Sequence, residues 1–315
     1  MPADFLHNHP QFPDLIRIVA AEKGIDPALV EKDYWIMHSL YGLQQLGMKF
    51  ELKGGTSLSK GFQIINRFSE DIDIRIEPPP DQDVKIGRNH DKPQHVESRR
   101  RFYNWLAKTI RIDGIEKVER ATEFDNKQLT SAGIRLSYQS FVKAMAGLKA
   151  GVILEVGFDD VTPNVEKDIS SWLYDHAANK KIEIIDNRAK GVACYDPGYT
   201  FVEKLQTVST KFRQQQASKE SPLAFMRHYY DIYSLLQLPE VQKFINTEAY
   251  KKHKERRFRG GDNLNISQND AFIVSDPVTR ESYAKAFAES AALYYGDKPT
   301  FEQILTEIGK WASKL

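Results

Sequence analysis

Apolar residues recur at helical spacing along the first fifty positions. Residues 13–47 predict two helices, the second marked by Leu29, Ile36, Leu40 and Leu43 and started by Asp26-Pro27. A short strand at 50–53 runs into Gly54-Gly55, and 56–65 predicts the helix that follows. Residues 71–77 alternate strictly. Ile72, Ile74 and Ile76 take one face, and Asp71, Asp73, Arg75 and Glu77 take the other, the pattern of a half-buried strand. The proline-rich stretch 78–94 breaks both periods and reads as a loop. A helix is expected over 95–112, then strands near 115–124, 132–138 and 151–158.

The character changes after about residue 160. Residues 161–198 show no clear period, with Pro163, Pro197 and Gly198 as punctuation. From 199 onward the pattern is helical, over 199–214, 222–237, 240–252, 277–295 and 299–314, with a polar loop at 253–275 expected to be mobile. No internal repeat is present. The expected fold is α+β, a mixed sheet with flanking helices followed by a helical bundle, with domains at 1–190 and 191–315.

Charge narrows the function. The 315 residues carry 44 Lys and Arg against 43 Asp and Glu, a net charge of +1. This excludes an overall basic coat, so a polyanion must be met by a local patch. The single cysteine, Cys194, excludes an intrachain disulfide framework and a cysteine zinc cluster, and it lacks the companions of a nucleophile. The eight histidines, His90 among them, follow no metal-like spacing. Asp4, Asp14, Arg17, Glu22 and Lys23 interrupt any apolar leader, and no stretch approaches the roughly 20 apolar residues of a membrane span. A cytoplasmic protein with no membrane partner is expected.

The chemistry concentrates in GGTSLSKGFQIINRFSEDIDIRI, residues 54–76. Gly54-Gly55 lets the backbone approach a ligand, and Thr56 or Ser57 can cap a helix whose first amides favour an anion such as a triphosphate. Lys60 lies on the same segment and joins the nucleotide-binding candidates. Asp71 and Asp73 project from one face of a strand and repel unless a cation lies between them. Mg²⁺, or Mn²⁺, held by carboxylates and substrate phosphates is the usual solution, and it serves in-line phosphoryl transfer. Taken singly, each part has a plain reading: a turn, a solvated strand face. The combination of strand, Gly-Gly, helix and acid pair points to chemistry.

Further along, Glu155 lies on a strand otherwise built for burial, either as a third metal-binding carboxylate or as the partner of a nearby cation. Lys204 and Lys211 share a stripe beside the core face of helix 199–214 and could reach phosphate oxygens. Arg227 and Asp231 are i, i+4 neighbours, a spacing that suits an ordinary helix ion pair, and Arg227 joins the nucleotide-binding candidates. Arg99-Arg100-Arg101 beside Phe102, Tyr103 and Trp105, and the run KKHKERRFR at 251–259, have the basic and aromatic composition of an RNA-contacting surface. The plain reading of each is a solvated helix face.

The segment 54–76 resembles the first motif of the nucleotidyltransferase-fold superfamily. Its wording, GGTSLSK…RFSEDIDI, resembles the AbiEii/AbiGii toxin family of AbiE-type toxin–antitoxin and phage-defence systems, which also holds the MenT-like toxins. VEKDYW (30–35), ILEVGF (153–158), FVEKL (201–205), RHYYDIY (227–233) and YYGDKPTFEQIL (294–305) follow in that family's order. The resemblance implies a nucleotidyltransferase-like sheet and a C-terminal half that completes the active site. It implies activity associated with Ser69, Asp71, Asp73, Lys204 and Asp231. It also implies transfer of a nucleoside monophosphate from an NTP to an acceptor hydroxyl, foremost the 3′ end of tRNA, and an antitoxin encoded nearby. Two alternatives stay open: nucleotidylation or phosphorylation of a protein, and nucleotide or antitoxin binding without turnover.

Overall fold

The computed structural model describes residues 3–86, 91–218, 220–258, 260–296 and 298–315. His90 of the loop 78–94 and Arg259 of the basic run lie outside the described residues. The chain divides into two units, Met1–Phe62 with Ser69–Tyr195, and Gln63–Phe68 with Asp196–Leu315.

In the first unit, seven strands among the described residues form one sheet. They are β1 (Phe50–Lys53), β2 (Asp71–Ile76), β3 (Ile115–Ala121), β4 (Ser131–Tyr138), β5 (Val152–Gly157), β6 (Asn164–Ile169) and β7 (Ala189–Tyr195), in the order β3-β4-β5-β2-β1-β7-β6. The sheet is mixed: β2 runs parallel to β5 and β1 parallel to β7, and the other neighbours are antiparallel. Helices α1 (Phe12–Lys23), α2 (Pro27–Gln45), α3 (Gly54–Thr56), α4 (Pro93–Thr109) and α5 (Trp172–Asn179) complete the unit.

The strands expected at 50–53 and 71–77 form as β1 and β2. The Ile72, Ile74 and Ile76 side is buried, and Asp71 is buried too. The sheet also holds β6 and β7, which no sequence period announces. β6 is an edge strand, its Val165, Glu166 and Asp168 exposed, the charges being the kind that blunt an edge. The expected boundary at 190/191 falls inside β7, which is hydrogen-bonded to both β1 and β6 and therefore stays with the sheet to Tyr195.

The start of α2 follows the expected signal: Asp26 accepts from the Ala28 amide, and Pro27 occupies the first turn. Its burial exceeds the apolar stripe, because Glu31, Lys32 and Asp33 are buried as well. Near its middle lies a buried polar network that the histidine spacing did not reveal. His7 Nδ1 lies 2.8 Å from Tyr34 Oη, and His7 Nε2 lies 2.7 Å from Asp113 Oδ1. His38 Nε2 lies 3.0 Å from the Asp113 carbonyl, and the Asn187 amide lies 2.9 Å from His38 Nδ1.

Burial, with His7 next to it, lowers the His38 pKa from 6.5 to about 4. The folded protein keeps this ring neutral where the unfolded chain takes up a proton. Stability should therefore fall as pH drops from 6.5 to 4 and level off below, by about 3 kcal/mol for this group. Urea unfolding at pH 7, 5.5 and 4 measures it; a His38→Gln variant should lose this part of the pH dependence.

The second unit is helical: α6 (Pro197–Ser218), α7 (Leu223–Leu236), α8 (Pro239–Phe244), α9 (Glu248–Arg257), α10 (Asp270–Ile273), α11 (Pro277–Glu289) and α12 (Phe301–Trp311). The single helix expected at 240–252 is two. Asn246 takes a left-handed φ of 67°, and Thr247 caps α9 by accepting from the Tyr250 amide. The loop expected at 253–275 is largely structured, with α9 continuing to Arg257 and α10 following.

Both expected basic surfaces turn partly inward. The Arg99 guanidinium is buried and donates to the carbonyls of Lys85 and Gln128. His253, Lys254 and Phe258 are buried, and Arg257 pairs with Glu203 at 3.4 Å, which leaves Lys251, Lys252 and Arg256 exposed. Side chains spaced around a helix cannot all face solvent when one side of it packs.

Candidate active site

Strand β2 presents the acid pair. Asp73 stands in register with Lys53 of β1 on one side and Glu155 of β5 on the other, so the three side chains share a face. Gly54 follows β1 with a φ of 71°. A Cβ at this glycine would overlap the Asp73 carboxylate and lie 2.9 Å from its Cγ. The glycine bend and the second acid are thus in direct contact, and only glycine permits it.

The helix expected at 56–65 starts instead at Gly54 and ends at Gly61, its second half Ser57–Gly61 in π form. Lys53 is the N-cap and no side chain caps the turn, which corrects the capping role expected of Thr56 or Ser57. Thr56 is buried, and its hydroxyl donates to the Asp71 carbonyl, fixing the turn to the start of β2. Ser57 is also buried.

Asp71 is the more enclosed acid. Its Oδ1 is buried without a hydrogen-bond partner, and its Oδ2 is paired with the ammonium of Lys149. Burial raises its pKa, Lys149 opposes the rise, and the charges of Glu70 and Asp73 add to it. An unpartnered buried carboxylate oxygen beside a second carboxylate fits Mg²⁺, which takes one or two protein carboxylates and completes its shell with phosphate and water. Among the described residues no group of three or more His, Cys, Asp or Glu gathers as metal ligands. Glu155 is therefore not drawn into a cluster with Asp71 and Asp73, although it shares their face.

Three consecutive charges of α2 hold the surroundings of this face. Glu31 accepts from the Ser140 hydroxyl at 2.6 Å and the Phe141 amide at 2.8 Å. Lys32 donates to Glu70 at 3.2 Å and to the Lys149 carbonyl at 2.7 Å. Asp33 accepts from Lys60 at 2.7 Å and from the Trp172 amide at 2.8 Å. Successive helical positions point about 100° apart, so one turn clamps the loop after β4, the residue before Asp71, and the segment after Gly54-Gly55. The ammonium of Lys60, an expected nucleotide contact, is thus paired with Asp33.

The second unit has its own charged cluster. Asp231 of α7 is fully buried and accepts a fork from Arg67, Nε to Oδ1 at 2.6 Å and Nη2 to Oδ2 at 2.7 Å. Lys204 Nζ lies 2.8 Å from Oδ2 and 3.3 Å from His228 Nδ1. Burial alone would raise the Asp231 pKa; Arg67 and Lys204 outweigh it and hold the carboxyl well below the usual range. Burial, then the Lys204 charge, pushes His228 down to about 3, so its ring is neutral. Arg67 sits on the segment Gln63–Phe68, whose backbone is also fixed: Phe68 donates to the Leu293 carbonyl, and Tyr295 to that of Asn66.

The sequence matches, over residues 36–307, a family described as "Nucleotidyl transferase AbiEii toxin, Type IV TA system". The chain belongs to the AbiEii family. It is a nucleotidyltransferase of a type IV toxin–antitoxin family. No curated protein matches the chain. Among solved structures, an antigenic nucleotidyltransferase-like protein from Paracoccidioides brasiliensis is similar over 81% of this chain and 93% of that one, at 12% identity and a TM-score of 0.35.

In this AbiEii protein the expected site residues fall into two groups. Gly54, Asp73 and Asp71 are brought together in the first unit, while Lys204 and Asp231 are brought together in the second. Ser69 is half-buried two residues before Asp71. The pair expected between Arg227 and Asp231 does not form, because Arg67 and Lys204 take both carboxylate oxygens. Lys211 is exposed on α6, two turns beyond Lys204. Sequence reasoning missed Arg67, Lys149 and the triad Glu31, Lys32 and Asp33. For the triad there was a signal: three adjacent charges inside an otherwise apolar helix.

Proposed function

We propose that this AbiEii protein transfers a nucleoside monophosphate from an NTP to the 3′ hydroxyl of tRNA, with release of pyrophosphate. The reading rests on one observation, the Asp71 and Asp73 pair on one face of β2 with the Asp73 carboxylate seated against Gly54. Asp71 and Asp73 are the residues that would hold Mg²⁺. When bound, the ion supplies positive charge to the phosphates and makes the attacking hydroxyl more acidic.

The chain's own residues do the rest. Thr56 holds the glycine turn against the first residue of β2. The uncapped amides that open the turn at Gly54 and Gly55 are offered to phosphate oxygens. The family resemblance associates Lys204, held in the second unit by Asp231 and by neutral His228, with activity. Asp231 is a positioning residue, since its oxygens are spent on Arg67 and Lys204. No open acidic or basic atom is left on it for proton transfer.

The tRNA acceptor follows from the family resemblance, and so does a growth-arresting role in phage defence, in the cytoplasm where NTP and tRNA meet. The test is incubation of the purified protein with total tRNA, Mg²⁺ and each α-labelled NTP. Label on tRNA 3′ ends with at least one NTP is expected. Label on protein instead, or no transfer by folded protein, overturns the acceptor assignment.

A further inference from the structure

We propose that Lys149 is the resident counter-cation of the acid pair: its ammonium holds Asp71 in the metal-free protein and must leave that carboxylate for a divalent cation to bind. The inference rests on the reading above that Asp71 is a metal ligand, and it goes beyond that reading to a residue on the loop between β4 and β5.

Four observations carry it. The Lys149 ammonium is paired with Asp71 Oδ2, 4.0 Å from Glu70 Oε1, and over the Phe124 ring at 4.8 Å from its centre. Two carboxylates and an aromatic face make a seat for a positive charge. Asp71 is buried, and a carboxylate taken out of water needs such a charge when no metal is present. Its other oxygen, Oδ1, is buried and unpartnered, so the site is only half satisfied by the lysine.

The fourth observation concerns how the lysine can leave. The Lys149 backbone is pinned independently of its side chain. Its amide donates to Glu70 Oε2 at 2.8 Å, and its carbonyl accepts from Lys32 at 2.7 Å. The side chain is 28% exposed. The ammonium can therefore swing off Asp71 by rotation of its own bonds while the loop stays in place. A lysine suits this role because it is a point charge on a flexible stem. An arginine would grip the carboxylate through two parallel bonds and yield less readily.

An opposite charge at this range shifts the proton affinity of a carboxylate by about one to three decades, and a metal ion meets the same competition. Mn²⁺ binding to the full chain, followed by electron paramagnetic resonance at pH 8 without nucleotide, reads it. Lys149→Gln should bind Mn²⁺ about tenfold or more tightly than the unaltered protein. Equal or weaker binding overturns the proposal. Asp71→Asn separates the two claims. If it binds Mn²⁺ as the unaltered protein does, Asp71 is not a ligand and both fall; if it loses Mn²⁺ while Lys149→Gln is unchanged, only the role of Lys149 falls. Should Lys149→Gln fail to fold, Lys149→Arg decides: weaker Mn²⁺ binding supports the proposal, and equal or tighter binding overturns it.

Discussion

Gly54→Ala should leave a folded protein that transfers nucleotide at least about a hundredfold more slowly. The stability cost is small. Holding alanine at a φ of 71° costs about 1–2 kcal/mol. The steric cost has one inexpensive outlet, because the atoms that a new Cβ would meet belong to the Asp73 side chain rather than to backbone. Asp73 rotates away, and the sheet survives. The acid pair does not, and a misplacement of about 1 Å at reacting groups is worth about a hundredfold in rate. Initial rates of transfer and a thermal melt on the same sample measure the two effects. Activity within a few-fold of the unaltered protein would show that the Gly54–Asp73 contact has no part in the reaction.

Asp231→Asn should show the opposite balance, with the loss in stability. It leaves Arg67 and Lys204 in a buried site without their counter-charge. Breaking a buried pair from one side typically costs about 3–5 kcal/mol, a large part of the ~5–15 kcal/mol that holds a typical protein folded. Urea unfolding measures it. The double variant Arg67→Met with Asp231→Asn should be less destabilised than the sum of its parts, because the arginine and the carboxylate share the interaction. A single-variant cost under about 1 kcal/mol would mean that the cluster is not the anchor of α7 that its geometry describes.

These two positions also mark what could be read from sequence and what could not. Gly54-Gly55 and the alternation from Asp71 to Ile76 are local patterns, so strand, turn and acid pair were legible together. Their contact, Gly54 against Asp73, follows from β1 pairing antiparallel with β2 in the register Lys53↔Asp73. Asp231 was legible as a residue but not as a role. Its nearest helical neighbour, Arg227, looked like its partner, while the true partner Arg67 stands 164 positions away. Long-range pairing leaves no periodic trace.

The same limit hid Lys149, whose seat on Asp71 depends on a loop held at both ends by α2. The partner of Lys60 was hidden in the same way, because the buried carboxylate of Asp33 stands 27 positions from it in sequence. The strands β6 and β7 were missed because β6 wears the charges of an edge and β7 carries Gly191, at a φ of 60°, among its apolar residues. Helix α9 was cut short because the polar stretch 253–275 has the composition of a loop, while His253, Lys254 and Phe258 pack inward.

The central claim is that the Asp71 and Asp73 face carries nucleotidyl transfer. Its most direct test is one reaction run in parallel with α-labelled and γ-labelled NTP, using the unaltered protein and Asp71→Asn. The account predicts α-label on the acceptor, γ-label released with pyrophosphate, and neither label transferred by the variant. Label from the γ position on the acceptor, or undiminished transfer by Asp71→Asn, would contradict it.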